Sequence, residues 1–349
     1  MKSQNITFKL AHDTPYGRAG QVVTLALAPA DVHDPSVMPT YLAGYTNAAM
    51  RADEASKIIL VDKDHDKIRN FDSDDAFALI DVKGSISSSI PEVDPASSLS
   101  EYKVKDRFVG SFINEITEMN ADNPYRPRQV AMRRCGRAIQ MDREVDWWTL
   151  ISLAATWNAN NVVTLGGTTK WNGGSASNPV QDIQARLIAS AQPITDCWMN
   201  QTVANALVNH ALVQSWTKLW VGDAGWTGTA QAIANAGLGA IDFTLPGIAC
   251  RFHVVNGKYK VVSTGALSYI LGNHVIFTTS PPGIPSDGEE IATSYTFRRR
   301  GASAVGFETR EFRVEGRGPK GGTMVVAYEA SDILVTSSIS GGAIRNAVQ

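Results

Sequence analysis

Asp62, Asp64, His65 and Asp66 come closest to a metal-ligand spacing in this chain of 349 residues. A calcium loop of the EF type needs glycine at its sixth position for a sharp turn and glutamate at its twelfth to close the shell. Counted from Asp62, those positions hold Lys67 and Ser73. The segment therefore reads as a solvated acidic strand end rather than a structural metal site. The six histidines, His12, His33, His65, His210, His253 and His274, form no HExxH and no close pair. Each reads as a surface or satisfied core histidine, not a zinc ligand. No G-x-S-x-G elbow offers a serine nucleophile, and no Walker A loop offers a phosphate cradle. GLGAIDF at 237–243 lacks the third glycine and the preceding strand of a dinucleotide fingerprint, so it reads as a turn. We expect no catalytic residue, no cofactor and no metal: the chain does not read as an enzyme.

Arg298, Arg299 and Arg300 have the chemistry to grip phosphate. Three adjacent arginines on a strand point to both faces, so at least one must be paired or partly buried. Glu289, Glu290, Glu308 and Glu311 are near enough in sequence to serve, and an inter-strand ion network is the expected arrangement. The tryptophans at 147–148 and at 216–226 read as core and loop packing.

The element that must position most of this charge runs from about Pro124 to Trp157. Past Pro127 it has no proline and a single glycine, Gly136. At ~1.5 Å per residue it makes a rod of roughly 45 Å. Asn123 and Pro124 suit a helix start, and Asn158 and Asn160 a stop. Its first half carries Arg126, Arg128, Arg133, Arg134 and Arg137, while Trp147 to Trp157 is almost wholly apolar. One small-residue stripe runs through Ala131, Cys135, Ala138, Val145 and Ser152, and another apolar stripe through Ile139, Trp147, Leu150 and Ala154. Arginines near a helix N-terminus oppose the macrodipole by a few tenths of a kcal/mol each. Asp142, Glu144 and Asp146 start a turn or more beyond Arg137. Something anionic must compensate, either solvent and local carboxylates or acidic groups on another chain.

A candidate source precedes the rod. Tyr102 to Phe112 alternates with period two, its aromatic face set against a face bearing Lys103, Lys105 and Arg107. The outgoing limb carries Asp72, Asp74, Asp75 and Asp81, with a strand at Phe77–Val82 and a Ser- and Pro-rich stretch at 84–98. Such a hairpin is marginal alone in water and needs a surface. So does the segment 31–45, rich in Pro and Gly.

The formal net charge is −2, without the basic footprint of a general nucleic-acid binder. Cys135, Cys197 and Cys250 are far apart and form no CxxC, so they read as free buried thiols in a reducing compartment. Val22–Ala30 reads as a strand, not a secretory signal. The run 147–157 is too short to span a bilayer.

Beyond the rod, we expect strands at 162–165 and 168–171, a helix from Asn178-Pro179 to Ala191, and a strand at 195–199. A helix capped by Asn200 follows to about Ser215, and short strands fill much of 241–279 and the stretch from Tyr295 onward. This order is α+β, without the regular alternation of a doubly wound sheet.

Four stretches carry a resemblance: MNADNPYRPRQVAMRRCGRAIQMDREVD (119–146), VVTLGGTTKWNGGSASNPVQDIQARLIAS (162–190), ITDCWMNQTVANALVNHALV (194–213) and SPPGIPSDGEEIATSYTFRRRG (280–301). In order and spacing they resemble the major capsid proteins of tailed bacteriophages. The resemblance implies an N-terminal arm at 1–57, an extended loop at 58–122 and a spine helix with peripheral domain at 123–190. It further implies an axial domain at 191–275 and a peripheral return at 276–349. It implies a structural shell protein in the virion capsid, assembled in the host bacterial cytoplasm as pentamers and hexamers around double-stranded DNA. Scaffolding, portal and decoration proteins are its implied partners, with no membrane and no sequence-specific DNA binding. The alternatives are an encapsulin-like compartment for enzyme cargo and an α+β enzyme. As interface residues we expect Arg126, Arg133, Arg134 and Arg137 to meet Asp72, Asp74 and Asp75 of a neighbouring subunit.

Overall fold

The computed structural model describes residues 4–9, 22–27, 51–70, 98–121, 126–173, 175–221, 241–260, 265–280, 292–300, 308–315 and 321–349. The chain opens with β1 (Gln4–Lys9), β2 (Val22–Leu27), α1 (Ala52–Ala55), β3 (Lys57–Val61) and β4 (His65–Asn70). Next come β5 (Ser98–Lys103), β6 (Lys105–Asn114), α2 (Glu115–Met119), α3 (Pro127–Ser152), β7 (Val162–Thr164) and α4 (Pro179–Ala189). Then follow β8 (Asp196–Met199), α5 (Gln201–Asn209), α6 (Ala211–Val221), β9 (Ile241–Thr244), β10 (Arg251–Val254) and β11 (Lys258–Lys260). The last strands are β12 (Leu267–Tyr269), β13 (Val275–Thr278), β14 (Ser294–Arg299), β15 (Glu308–Val314), β16 (Gly322–Val335) and β17 (Gly341–Arg345).

One sheet is organised on β16, a strand of 14 residues with no proline and no glycine after Gly322. β6 lies antiparallel along one edge of it. β15 and then β14 lie antiparallel along the other, and β3 adds to β14 in parallel. The long helix α3 packs across β6 and β16. Its buried side includes Ala131, Met132, Cys135, Ile139, Trp147, Trp148 and Ile151. Cys135 Sγ lies 3.8 Å from the Val325 carbonyl oxygen, an approach that a small residue on the helix permits.

The second sheet has six strands in the order β7-β17-β13-β8-β10-β9. Strands on both sides of the expected cuts after residues 190 and 275 share it. Its main core is closed by α4, α5 and α6, through Val180, Ile183, Val203, Leu207 and Val213 against Cys197, Met199, Phe252 and Phe277. Asn200 caps α5 by accepting from the Val203 N–H at 2.8 Å. The glycine pair before Ala343 is needed for close approach: a Cβ on Gly342 would stand 2.5 Å from the Asn161 carbonyl oxygen, and one on Gly341 2.7 Å from that of Phe277.

Three two-stranded ribbons, β1–β2, β4–β5 and β11–β12, stand apart from the sheets. The second is anchored by Tyr102, which stacks on Phe297 at 4.3 Å between ring centroids.

Several expected elements differ. The long helix starts at Pro127 and stops at Ser152, short of Trp157. Two downstream side chains take its last carbonyls instead: Thr156 Oγ1 donates to Leu150 O, and Trp157 Nε1 to Ile151 O. Residues 167–169 form a 3-10 turn in place of the expected strand. The helix expected to run from Asn200 to about Ser215 is broken at His210, which is extended. Its Nδ1 accepts from the Leu212 N–H at 3.3 Å and so helps start α6. The alternating segment 102–112 divides at Val104: Tyr102 is buried, but within β6 the inward side is that of Ile113, while Phe108 is 75% exposed. The strand expected at 77–82 lies outside the described residues.

Candidate assembly interface

The arginine half of α3 draws its counter-charge from outside the helix's own first turn. Arg126 is the N-cap with no side-chain hydrogen bond, and the first turn holds no acidic residue. Pro127 at the first position removes one unsatisfied N–H and fixes φ for the helix. Arg128 is nonetheless paired inside the chain, with Glu118 of α2 at 2.5 Å and Glu311 of β15 at 3.3 Å. Arg133 is half-buried, and Arg134 and Arg137 are exposed. The downstream carboxylates serve another cation: Arg107 of β6 holds Asp142 at 3.0 Å and Asp146 at 2.5 Å. Asp72, Asp74 and Asp75 lie outside the described residues. The structure thus brings Arg126, Arg133, Arg134 and Arg137 onto one helix, with Arg134 and Arg137 open to solvent.

The arginine triplet of β14 forms an ion network, as expected, but with other partners. Arg298 reaches Asp53 and Glu329, Arg299 pairs with Asp64, and Arg300 with Asp62 at 3.4 Å. The cause is the parallel pairing of β3 with β14, which sets Leu60 opposite Arg298 and brings the turn after Val61 beside the arginines. The acidic cluster of residues 62–66 is therefore a counter-charge to that strand end. Lys63 and Asp66 pair with each other at 2.9 Å within it.

Sequence reasoning missed a buried polar cluster at the middle of α3. Arg143 donates to Glu329 at 2.8 Å and to Asp53 at 2.6 Å, and Arg298 approaches the same two carboxylates. Arg143, Glu329 and Arg298 are all buried. Two cations and two carboxylates alternate around a common centre, so each charge faces opposite neighbours. Glu144 lies beside it, accepting from the Ala52 N–H at 2.7 Å and from the Trp148 indole at 2.7 Å. Burial pushes the Glu144 carboxyl up to about 7, against the pull of those two hydrogen bonds. A signal was present. Arg143 sits midway between Ile139 and Trp147 on the apolar stripe, a position that points into the core.

Residues 51–56 join this cluster to the six-stranded sheet. Arg51 donates to Asp242 of β9 at 2.6 Å and stands over the Trp198 ring. His253 of β10 lies between Asp242 at 2.8 Å and Asp196 of β8 at 2.7 Å, and stacks on Trp198 at 4.1 Å. Burial alone would depress His253. Hydrogen bonds to Asp196 and Asp242 outweigh it and hold the imidazole above its ordinary pKa. Burial opposes ionisation of Asp242 too, yet the His253 and Arg51 contacts hold its carboxyl well below the usual range. Ser56 closes the far end of the segment on Thr296 at 2.7 Å. Most of these polar groups bond to one another, though Arg143 Nε, Arg298 Nε and Glu329 Oε2 are buried with no hydrogen-bond partner. The arrangement offers structure rather than a reacting centre, and no group of three metal-ligating side chains occurs among the described residues.

No protein-family model and no curated protein sequence matches this chain. Solved structures do. A phage-related protein from Bordetella bronchiseptica superposes with a TM-score of 0.61 at 15% identity, over 90% of this chain and 97% of that one. A prophage protein from Escherichia coli CFT073, described as a putative capsid protein, gives 0.53 at 12%, over 88% and 96%. The chain has the fold of the tailed-phage major capsid proteins. The capsid of cyanophage P-SCSP1u extends the capsid-protein likeness, with a TM-score of 0.52 at 10% identity over 83% and 86%. The capsid-protein fold and its mixed α+β class are those the four sequence stretches implied.

Proposed function

We propose that this chain is a shell protein, many copies of which assemble into pentamers and hexamers and then into an icosahedral virion capsid enclosing double-stranded DNA. The carrying observation is that the likeness to a phage-related protein and to a prophage protein described as a putative capsid protein covers 90% and 88% of this chain. The chemistry agrees: buried charges pair within structural networks, while Arg134, Arg137 and Phe108 are exposed.

In this reading residues 1–57 are the arm and 58–122 the extended loop. Residues 123–190 with 276–349 form the peripheral domain, and 191–275 the axial domain. Arg126, Arg133, Arg134 and Arg137 of one subunit meet Asp72, Asp74 and Asp75 of a neighbour's loop. Assembly takes place in the host cytoplasm, with any scaffold, portal or decoration protein supplied separately.

Electron microscopy and sedimentation of the purified full chain test this. Closed shells, or pentamers and hexamers, are the expected result. A stable monomer or dimer at high concentration overturns the reading, and particles loaded with a protein cargo in place of DNA turn it toward a cargo compartment.

A further inference from the structure

Two Asn-Gly pairs occur in the chain, Asn172-Gly173 and Asn256-Gly257. Such a pair has a reactivity of its own. The backbone nitrogen of the following residue can attack the asparagine side-chain amide, and glycine hinders that nitrogen least because it has no Cβ. Reacting groups on adjacent residues need no encounter, only the right rotation.

The fold treats the two pairs differently. Asn256 and Gly257 are buried, and the Gly257 carbonyl oxygen accepts from the Ile270 N–H at 2.9 Å. Asn172 and Gly173 lie exposed in the connection between β7 and α4. Trp171 anchors one side of this turn. It is buried, its backbone N–H donates to Ala347 O at 2.8 Å and its indole to Asp182 at 2.9 Å. Beyond it the restraint ends. No hydrogen bond among the described residues holds the Gly173 N–H or the Asn172 amide nitrogen. A Cβ on Gly173 would meet nothing within 4 Å, so the backbone there has room to turn. Asn172 Oδ1 accepts from the Gln349 N–H at 3.2 Å. That donor stands where negative charge develops as the amide carbon is attacked, the placement by which a hydrogen bond favours such a step.

We propose that Asn172-Gly173 is a site of spontaneous deamidation, with the Gln349 N–H polarising the side-chain carbonyl. The Gly173 nitrogen bonds to Asn172 Cγ and gives its proton to a solvent base. The Cγ–Nδ2 bond breaks and ammonia leaves. Water then opens the resulting succinimide at either carbonyl, giving aspartate or isoaspartate at position 172. Each product adds one negative charge. Isoaspartate also adds a methylene to the backbone next to Trp171, and so disturbs the contact with Ala347. The reaction needs no second subunit and stands apart from the shell reading.

Ageing of the purified full chain at pH 8, followed by peptide mapping and mass spectrometry, tests it. In the folded protein, conversion at position 172 should be at least tenfold faster than at 256, and in denaturant the two rates should meet. Equal rates in the folded protein overturn the inference. So does a tenfold gap that persists in denaturant, since the fold would then not set it. Gln349→Pro deletes the donor without touching the pair, at an exposed position. It should slow conversion at 172 several-fold with the circular dichroism spectrum unchanged. An equal or faster rate in that variant overturns the role given to the Gln349 N–H.

Discussion

Arg143 of α3 and Glu329 of β16 meet at 2.8 Å, deep between the long helix and the strand at the centre of its sheet. The pair fixes the helix along its own axis, which apolar packing, being non-directional, does less well. Glu329 also serves Arg298 from β14, so one carboxylate sets helix, strand and neighbouring strand at once.

Glu329→Ala should therefore be among the most damaging single changes in the protein. It leaves the two buried guanidinium groups of Arg143 and Arg298 sharing Asp53, at a cost on the order of 3–5 kcal/mol. Urea unfolding of the free subunit should show a large fall in midpoint. Combining Glu329→Leu with Arg143→Met should recover part of the loss, because Arg298 then keeps Asp53 as its counter-charge. A midpoint unchanged by Glu329→Ala would mean that the cluster contributes no stability.

Stability should depend on pH through Glu144. Its folded pKa, raised to about 7 from 4.5, means the folded state holds a proton that the unfolded chain has lost. The contribution is therefore complete below about pH 4.5 and is lost as pH rises through 7. Its size is roughly 3 kcal/mol, since each tenfold change in proton affinity is worth about 1.4 kcal/mol. His253, also raised, acts in the same sense above pH 6.5. Asp196 and Asp242, both lowered, act oppositely but only at acid pH. Between pH 5 and 8, wild type should lose stability relative to Glu144→Gln, and Trp148 fluorescence should titrate with a midpoint near 7 in the wild type only. Parallel stability curves for the two proteins would refute this.

Arg134→Glu with Arg137→Glu should leave the subunit folded. Both side chains are exposed, and such surface changes usually stay within about 0.5 kcal/mol. Assembly should fall sharply at low salt, where exposed charges are least screened. Asp72→Lys with Asp74→Lys in the same chain should restore part of it. A quadruple variant assembling no better than the double one, across a range of salt, rules out the pairing.

The native thiols should be inert. Burial pushes Cys250 up to about 12 and raises Cys135 and Cys197, so almost no thiolate exists at neutral pH. An aromatic disulfide reagent at pH 8 should label none of the three within minutes and all of them in denaturant.

The long helix, the order of strands and helices, and the ion network of Arg298–Arg300 were legible because each leaves a local pattern: a proline-free run, a period, adjacent like charges. The partners of those charges were not. Asp53, Asp62 and Asp64 reach Arg298–Arg300 only because β3 adds in parallel to β14, a pairing between segments more than two hundred residues apart that no window of sequence contains. The break at His210 was hidden because the apolar spacing continues through it, from Leu207 to Val213. The side of 102–112 that faces the core was misleading for a different reason. Phe108 looks like a core residue, yet it is exposed while Ile113, on the other side of β6, is buried.

The position of β17 has a consequence for synthesis. Ala343 lies between Val162 of β7 and Ile276 of β13, two strands that do not pair with each other. As the chain leaves the ribosome, both must wait with unpaired edges until residue 345 has emerged. Contacts of such sequence separation close slowly, and open edges invite pairing with the wrong chain. Where polysomes carry many copies of one nascent chain, that interval is the time of greatest exposure to aggregation. A stop codon placed just before Gly341 would make the exposure permanent.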